Sequence, residues 1–140
     1  MTWDTRVQGL LDKQEIHELA RRYSRGVDRK DPLLLRSLYT SDGVDNHGTV
    51  FRGPAGEYVD FLESSFEFIQ IGAHYVCNHL IDLDGDHAQG EVSAPGYHLF
   101  PGPNDQMIDA FVRVRYLDPY LRQAGNWPFS PPAVLFTPDH

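Results

Sequence analysis

The chain carries seven histidines and one cysteine, and histidine is the side chain whose charge changes near neutral pH. His74 opens the apolar run AHYVCNHLI, and Asp28 closes an apolar helical stripe. A carboxylate that accepts one ring N–H fixes the imidazole tautomer and leaves the other nitrogen as a base. Tyr23, five residues before Asp28, adds a hydroxyl able to donate to a substrate oxygen. These three residues are candidates for general acid–base catalysis, which needs only a histidine, an orienting carboxylate and a dry pocket. The competing reading is a buried histidine satisfied by a carboxylate and nothing more.

Other chemistries find less support. His74 and His79 are five apart on one expected strand, so the pleat sends them to opposite faces. His47 lies two residues from Asp45, and His98 lies on the next strand, yet no HxH, HExxH or Cys/His spacing accompanies them. No metal is expected. His17 is expected on a solvated helix face, and His87 and His140 in the open. There is no GxSxG elbow, and Cys77, set in HYVCNHL, reads as a small core residue. GxGxxG and Walker patterns are absent, so no cofactor is expected.

Composition bounds the partners. At 140 residues the chain makes one domain with a real core, and 41% hydrophobic content fits a folded globule. The net charge is −8 and there is no run of lysines or arginines. A nucleic-acid or anionic-membrane partner needs a basic footprint, so neither is expected. With one cysteine, no intrachain disulfide can form. A signal sequence and a membrane-length apolar run are both lacking, which makes a cytoplasmic protein the expectation.

The elements that must position the site follow from periodicity. Ile16, Leu19, Ala20, Tyr23 and Val27 fall on one face of a helix of period 3.6. Asp12 and Glu15 resemble its capping box, with Met1–Leu11 a lead-in arm or first turn. Asp31-Pro32 opens a second, short helix, and Gly53-Pro54 a third that is rich in aromatics. Val44–Phe51 reads as a short strand or strand–turn between them. From Ile71 the period becomes two. Ile71–Leu83 is a strand, Asp84-Gly85-Asp86 a hairpin turn, His87–Phe100 a return strand bent at Pro95-Gly96, and Met107–Tyr120 a long strand. The fold class is α+β: a cone-shaped α+β barrel, with three N-terminal helices packed on a curved, mostly antiparallel sheet. The curl leaves a cavity for a small molecule.

Three stretches, KQEIHELARRYSRGVDRKDPLLLRSLYTSDGV, FRGPAGEYVDFL and AHYVCNHLIDLDGDHAQGE, resemble the SnoaL-like branch of the nuclear-transport-factor-like superfamily. The resemblance covers about residues 10–120. That branch includes dehydratases, a dehydrochlorinase and polyketide cyclases. It implies that Asp28 and His74 pair to abstract a proton from carbon without a cofactor, that Tyr23 assists, and that a late-strand arginine contributes. Arg115 is the nearest candidate for that arginine and Arg113 the second. Where bile-acid dehydratases carry a further acid, this chain reads SAPGYHLF, so His98 or Tyr97 would substitute or the role is missing.

The resemblance also implies a homodimer or homotrimer. It weakens at the C-terminus, where Pro128, Pro131 and Pro132 each remove a ladder donor. The expectation is a single domain over 1–140, with 128–140 an irregular proline-rich tail. That tail would shorten the sheet, cross the pocket mouth or reach a neighbouring subunit. The reading is a cofactor-independent lyase of dehydratase type acting on a small apolar cyclic or aromatic substrate. An isomerase or polyketide-type cyclase would use the same dyad, and a non-catalytic ligand-binding module would leave His74 and Asp28 apart.

Overall fold

A computed structural model describes residues 2–130 and the backbone of 135–138. The first helix, α1 (Trp3–Asp28), is longer than the spacing suggests. It starts not at Asp12 but at Thr2, whose hydroxyl accepts the Thr5 N–H. Asp12 lies in mid-helix and is drawn inward. Arg122 donates to both its carboxylate oxygens at 3.0 and 2.6 Å, and Trp127 Nε1 donates to Oδ1 at 3.2 Å. The Arg122 guanidinium also lies 4.6 Å over the Trp127 ring. Burial opposes ionisation of Asp12, but hydrogen bonds from Arg122, Gln8 and Trp127 outweigh it and hold the carboxyl below its usual range.

Helix α2 (Pro32–Ser37) begins with Asp31 accepting the Leu34 N–H, as its Asp-Pro start requires. A short ribbon, β1 (Val44–Asn46) and β2 (Arg52–Pro54), leads to α3 (Ala55–Ser65). Six strands follow: β3 (Ile71–His74), β4 (His79–Asp84), β5 (His87–Ser93), β6 (Gly96–Pro101), β7 (Met107–Val112) and β8 (Val114–Leu121). A ninth, β9 (Leu135–Pro138), closes the described chain.

Each strand read as continuous from the sequence is broken once, at Tyr75–Asn78, at Ala94-Pro95 and at Arg113. The breaks line up and divide the strands into two sheets, ordered β3-β6-β7 and β4-β5-β8-β9. Pairing carries on through the bend: Cys77 N donates to Ser93 O, Tyr75 N to Pro95 O and Ala94 N to Val114 O. Pro95 has no N–H to donate, so the ladder can fold there at little cost. The bend also turns Cys77 outward, so it is exposed rather than a core residue.

The helices lie inside the curl. Ile16 and Leu19 of α1 pack with Leu38, Ile81, Tyr120, Trp127 and Phe129, while Leu35, Val59 and Phe66 form a second cluster against Tyr23 and Val27. Of the tail expected to be irregular over 128–140, residues 135–138 instead pair antiparallel with 114–117. Pro128, Pro131 and Pro132 all precede that strand, and Pro138 ends it. Phe129 is pinned to the end of α2 by Phe129 N donating to Leu38 O and Thr40 N to Phe129 O. His140 lies outside the described residues. Among the described residues no helix is long and apolar enough to cross a membrane.

The Asp12–Arg122 pair fastens α1 to the end of β8, with Asp12 the more buried partner. Arg122→Ala leaves that carboxylate without its partner and is expected to lower the unfolding free energy by about 3 kcal/mol in urea titration. The double variant Asp12→Ala/Arg122→Ala is expected to lose less than the sum of the single losses.

Candidate active site

Asp28 ends α1 and His74 ends β3, and the two meet. Asp28 Oδ2 accepts the His74 backbone N–H at 2.9 Å, and Oδ1 lies 2.6 Å from His74 Nδ1. Since the carboxylate can only accept, the ring donates from Nδ1, and Nε2 is the nitrogen left for proton transfer. The backbone contact sets the depth of His74 and the ring contact sets its orientation. Gly96, opposite His74 in the β3–β6 register, makes room: a Cβ there would stand 3.1 Å from Nε2.

His74 opens into a cavity of about 220 Å³ lined on its polar side by Tyr23, Asp28, His47, Tyr58 and His98, with apolar walls such as Val27, Leu62, Phe66 and Val114. The register also places His98 diagonal to His74, their rings edge to face at 5.2 Å. Burial, followed by the charge of His74, holds the His98 pKa down, with Asp28 opposing. Of the two residues named from the sequence, His98 lines the cavity. Tyr97 points to the other face of β6.

Tyr23 reaches the same cavity from near the C-terminal end of α1. Its hydroxyl lies 2.5 Å from that of Tyr58 on α3, and burial first, then neighbouring tyrosines and Asp45, push both phenols well above their usual range. They remain neutral donors at any working pH.

Arg115 does not join them. On β8 the residues Val114, Tyr116, Asp118 and Tyr120 face inward, so Arg115 takes the opposite face. Its Nε lies 3.4 Å from Glu91 Oε1, and it lines no part of the cavity. Arg113 sits exposed at the break before β8.

A second His–Asp pair forms between residues that the sequence suggested only as metal ligands. Asp45 is fully buried, its Oδ2 accepts the Tyr39 hydroxyl at 2.5 Å, and its Oδ1 lies 2.8 Å from His47 Nε2. The His47 ring stacks on Tyr58 with centroids 4.5 Å apart. The signal was the i, i+2 spacing of Asp45 and His47, which places both on one face of a strand. Among the described residues no group of three or more metal-type ligands converges. His17, expected in solvent, is half-buried and meets His79 edge to face at 4.6 Å. Burial, aided by the charges of His17 and Arg21, lowers the His79 pKa to about 4.

Asp118 is 3% exposed, and burial, with Asp45 adding to it against the Tyr120 hydrogen bond, lifts its pKa to about 7. Between the ordinary carboxyl value and about 7 the folded chain holds the extra proton, so this residue's contribution to stability falls as pH rises. His79 acts in the other direction, since its folded ring holds fewer protons between about 4 and the ordinary histidine value, and its contribution grows with pH. Asp118→Asn is therefore expected to gain on the parent protein steadily from about pH 4 to about pH 7. Urea midpoints measured across that range check it.

Residues 8–131 match the SnoaL-like domain model. A search of curated protein sequences finds no match. Among solved structures, the Kfla4162 protein of Kribbella flavida superposes with a TM-score of 0.83 at 24% identity, over 94% of this chain and 93% of that one. A provisionally named scytalone dehydratase of Novosphingobium aromaticivorans gives 0.79 at 21%, over 92% and 86%. A type 2 hexachlorocyclohexane dehydrochlorinase gives 0.79 at 20%, over 96% and 93%. The shared feature is the nuclear-transport-factor-like cone, an α+β fold of three helices and mostly antiparallel sheets.

Proposed function

The chain belongs to the SnoaL-like domain family, and from that premise we propose that it is a cofactor-independent lyase of the elimination type. The substrate is a small, largely apolar cyclic or aromatic molecule. The observation that carries this reading is the two-point contact of Asp28 with His74 in the wall of a cavity that has both polar and apolar sides. A merely ligand-binding cone has no need to fix the tautomer of a histidine facing its pocket. The volume of about 220 Å³ exceeds the roughly 150 Å³ that holds a benzene ring, and suits one or two fused rings.

In this reading His74 Nε2 removes a proton from the carbon beside a carbonyl, and Asp28 stabilises the imidazolium that results. The Tyr23–Tyr58 hydroxyl pair donates to the enolate oxygen as charge develops there. The leaving group then departs from the adjacent carbon and the double bond forms. The structures of a scytalone dehydratase candidate and a dehydrochlorinase share this cone, which supports elimination as the reaction class. An isomerase or cyclase would use the same base, and an unchanged product mass would identify it.

The proton-abstraction step can be probed without the natural substrate. Base-promoted elimination of 3-bromo-1-indanone removes the C2 proton, breaks the C3–Br bond and yields indenone and bromide. His74→Ala is expected to lower the enzyme-accelerated rate by about 100-fold or more, with a smaller loss in Asp28→Asn. Equal rates in the parent and both variants would sink the assignment.

A further inference from the structure

The first helix ends in a reversal that glycine normally makes. Asp31 N donates to Gly26 O and Lys30 N to Val27 O, the two-bond motif that closes a helix through one left-handed residue. That residue is Lys30, with φ of 55°. Glycine takes this conformation freely, whereas a residue with a Cβ is strained in it. The Lys30 side chain makes contacts that glycine could not. Its Nζ donates to Phe66 O and to Ile69 O, both at 2.7 Å. Phe66 caps the end of α3, and Ile69 lies in the loop that leads into β3. Two carbonyls take two of the three ammonium N–H groups. The third has no partner among the described residues.

This ammonium belongs to the cavity that holds His74. Lys30, Phe66 and Ile69 line it together with Asp28 and His74, so a molecule that fills the space meets both the base and the cation. Among the described residues Lys30 is the one lysine or arginine in that lining. Its two carbonyl partners are neutral, so contact with them does not cancel its charge. The Asp28 carboxylate is held on His74 by both oxygens. The net charge of −8 opposes an anion at a distance, but ordinary salt screens exposed charges beyond about 10 Å and leaves a short contact in force. Lys30 is exposed, which keeps the gain from that contact modest.

Resting on the elimination reading above, we propose that Lys30 is the specificity-determining residue of the site. It binds a carboxylate carried by the ring system, so the substrate is an apolar cyclic acid. The carboxylate accepts the free ammonium N–H, and the rings fill the space beside His74. The apolar walls of Val27, Leu62 and Phe66 serve an acid and its neutral analogue equally; the charge contact is what separates them. The bonds to Phe66 O and Ile69 O hold the ammonium in place before any substrate arrives, so little side-chain freedom is lost on binding. A lysine that only closed the end of α3 would leave acid and neutral analogue bound alike.

The test uses 2-naphthoate and 2-naphthamide, which share a shape, differ in charge and cannot undergo elimination. Calorimetric titration of the parent protein at neutral pH is expected to show naphthoate bound about 10-fold more tightly. Lys30→Gly relieves the left-handed backbone and removes the cation, while Lys30→Gln keeps an amide donor for the carbonyls. Both are expected to lose the preference for naphthoate and to bind the amide as before. Arg29→Gln removes a neighbouring cation that lines no part of the cavity, and is expected to keep the preference. A parent protein that binds the two ligands equally, or binds neither, overturns the proposal. So does a preference that survives both Lys30 variants or is lost equally in Arg29→Gln. Lys30 variants that weaken both ligands alike also overturn it, since that marks a purely structural lysine. Because neither ligand reacts, the result is separate from elimination itself, which the 3-bromo-1-indanone rates of the parent, His74→Ala and Asp28→Asn decide.

Discussion

One carboxylate holds the site together. Asp28 uses one oxygen on the His74 backbone and the other on its ring, so the end of α1 and the end of β3 are fixed to each other in position and in rotation. A half-buried carboxylate left with an unused oxygen would be expensive; here both are used, and both on the same residue. The grip works only if α1 itself is immobile. Its middle is locked by Ile16 and Leu19 in the core, and its first half by the Asp12–Arg122–Trp127 contacts. A helix of 26 residues thus has its first half fastened to the last turn of the sheet and its end fastened to the histidine.

The cavity beneath that histidine is a consequence of where the strands break. Had Ile71–Asp84 stayed one strand, His74 and His79 would share a sheet and the surface would be flatter. The aligned interruptions turn one sheet into two walls. The β3-β6-β7 wall carries His74 and His98, while β8 of the other wall carries Tyr116 and Asp118. The polar groups are therefore divided. His74 with Asp28 faces the larger space, and the carboxyls of Asp45 and Asp118 face a separate void of about 20 Å³. Tyr23 stands between them, bordering both.

The helices were legible in the sequence because they rest on local rules. The stripe from Ile16 to Val27 has one period, the Asp31-Pro32 start has one outcome, and the resemblance carried Asp28 and His74. What was not legible depended on distant partners. Asp12 looked like a helix cap, because the sequence does not reveal that Arg122 arrives 110 residues later. Cys77 was placed on the wrong side of the surface because the strand break at Tyr75–Asn78 carries no glycine or proline of its own, and His17 because its partner His79 comes from a distant strand. Arg115 failed on parity: one residue's difference along β8 decides between cavity and outer face, and similarity to a late strand does not fix that register. Asp118, on the same strand, read only as an acid among alternating residues, because its burial depends on what packs over that face of β8.

In the proposed mechanism Asp28 fixes His74 with its proton on Nδ1, leaving Nε2 as the base. Long-range ¹H–¹⁵N correlation spectra of the imidazole nitrogens at neutral pH measure this directly. A protonated Nδ1 and a bare Nε2 are expected for His74, with that preference lost in Asp28→Asn. A ring protonated on Nε2 in the parent protein, or a spectrum indifferent to the Asp28 substitution, would contradict it.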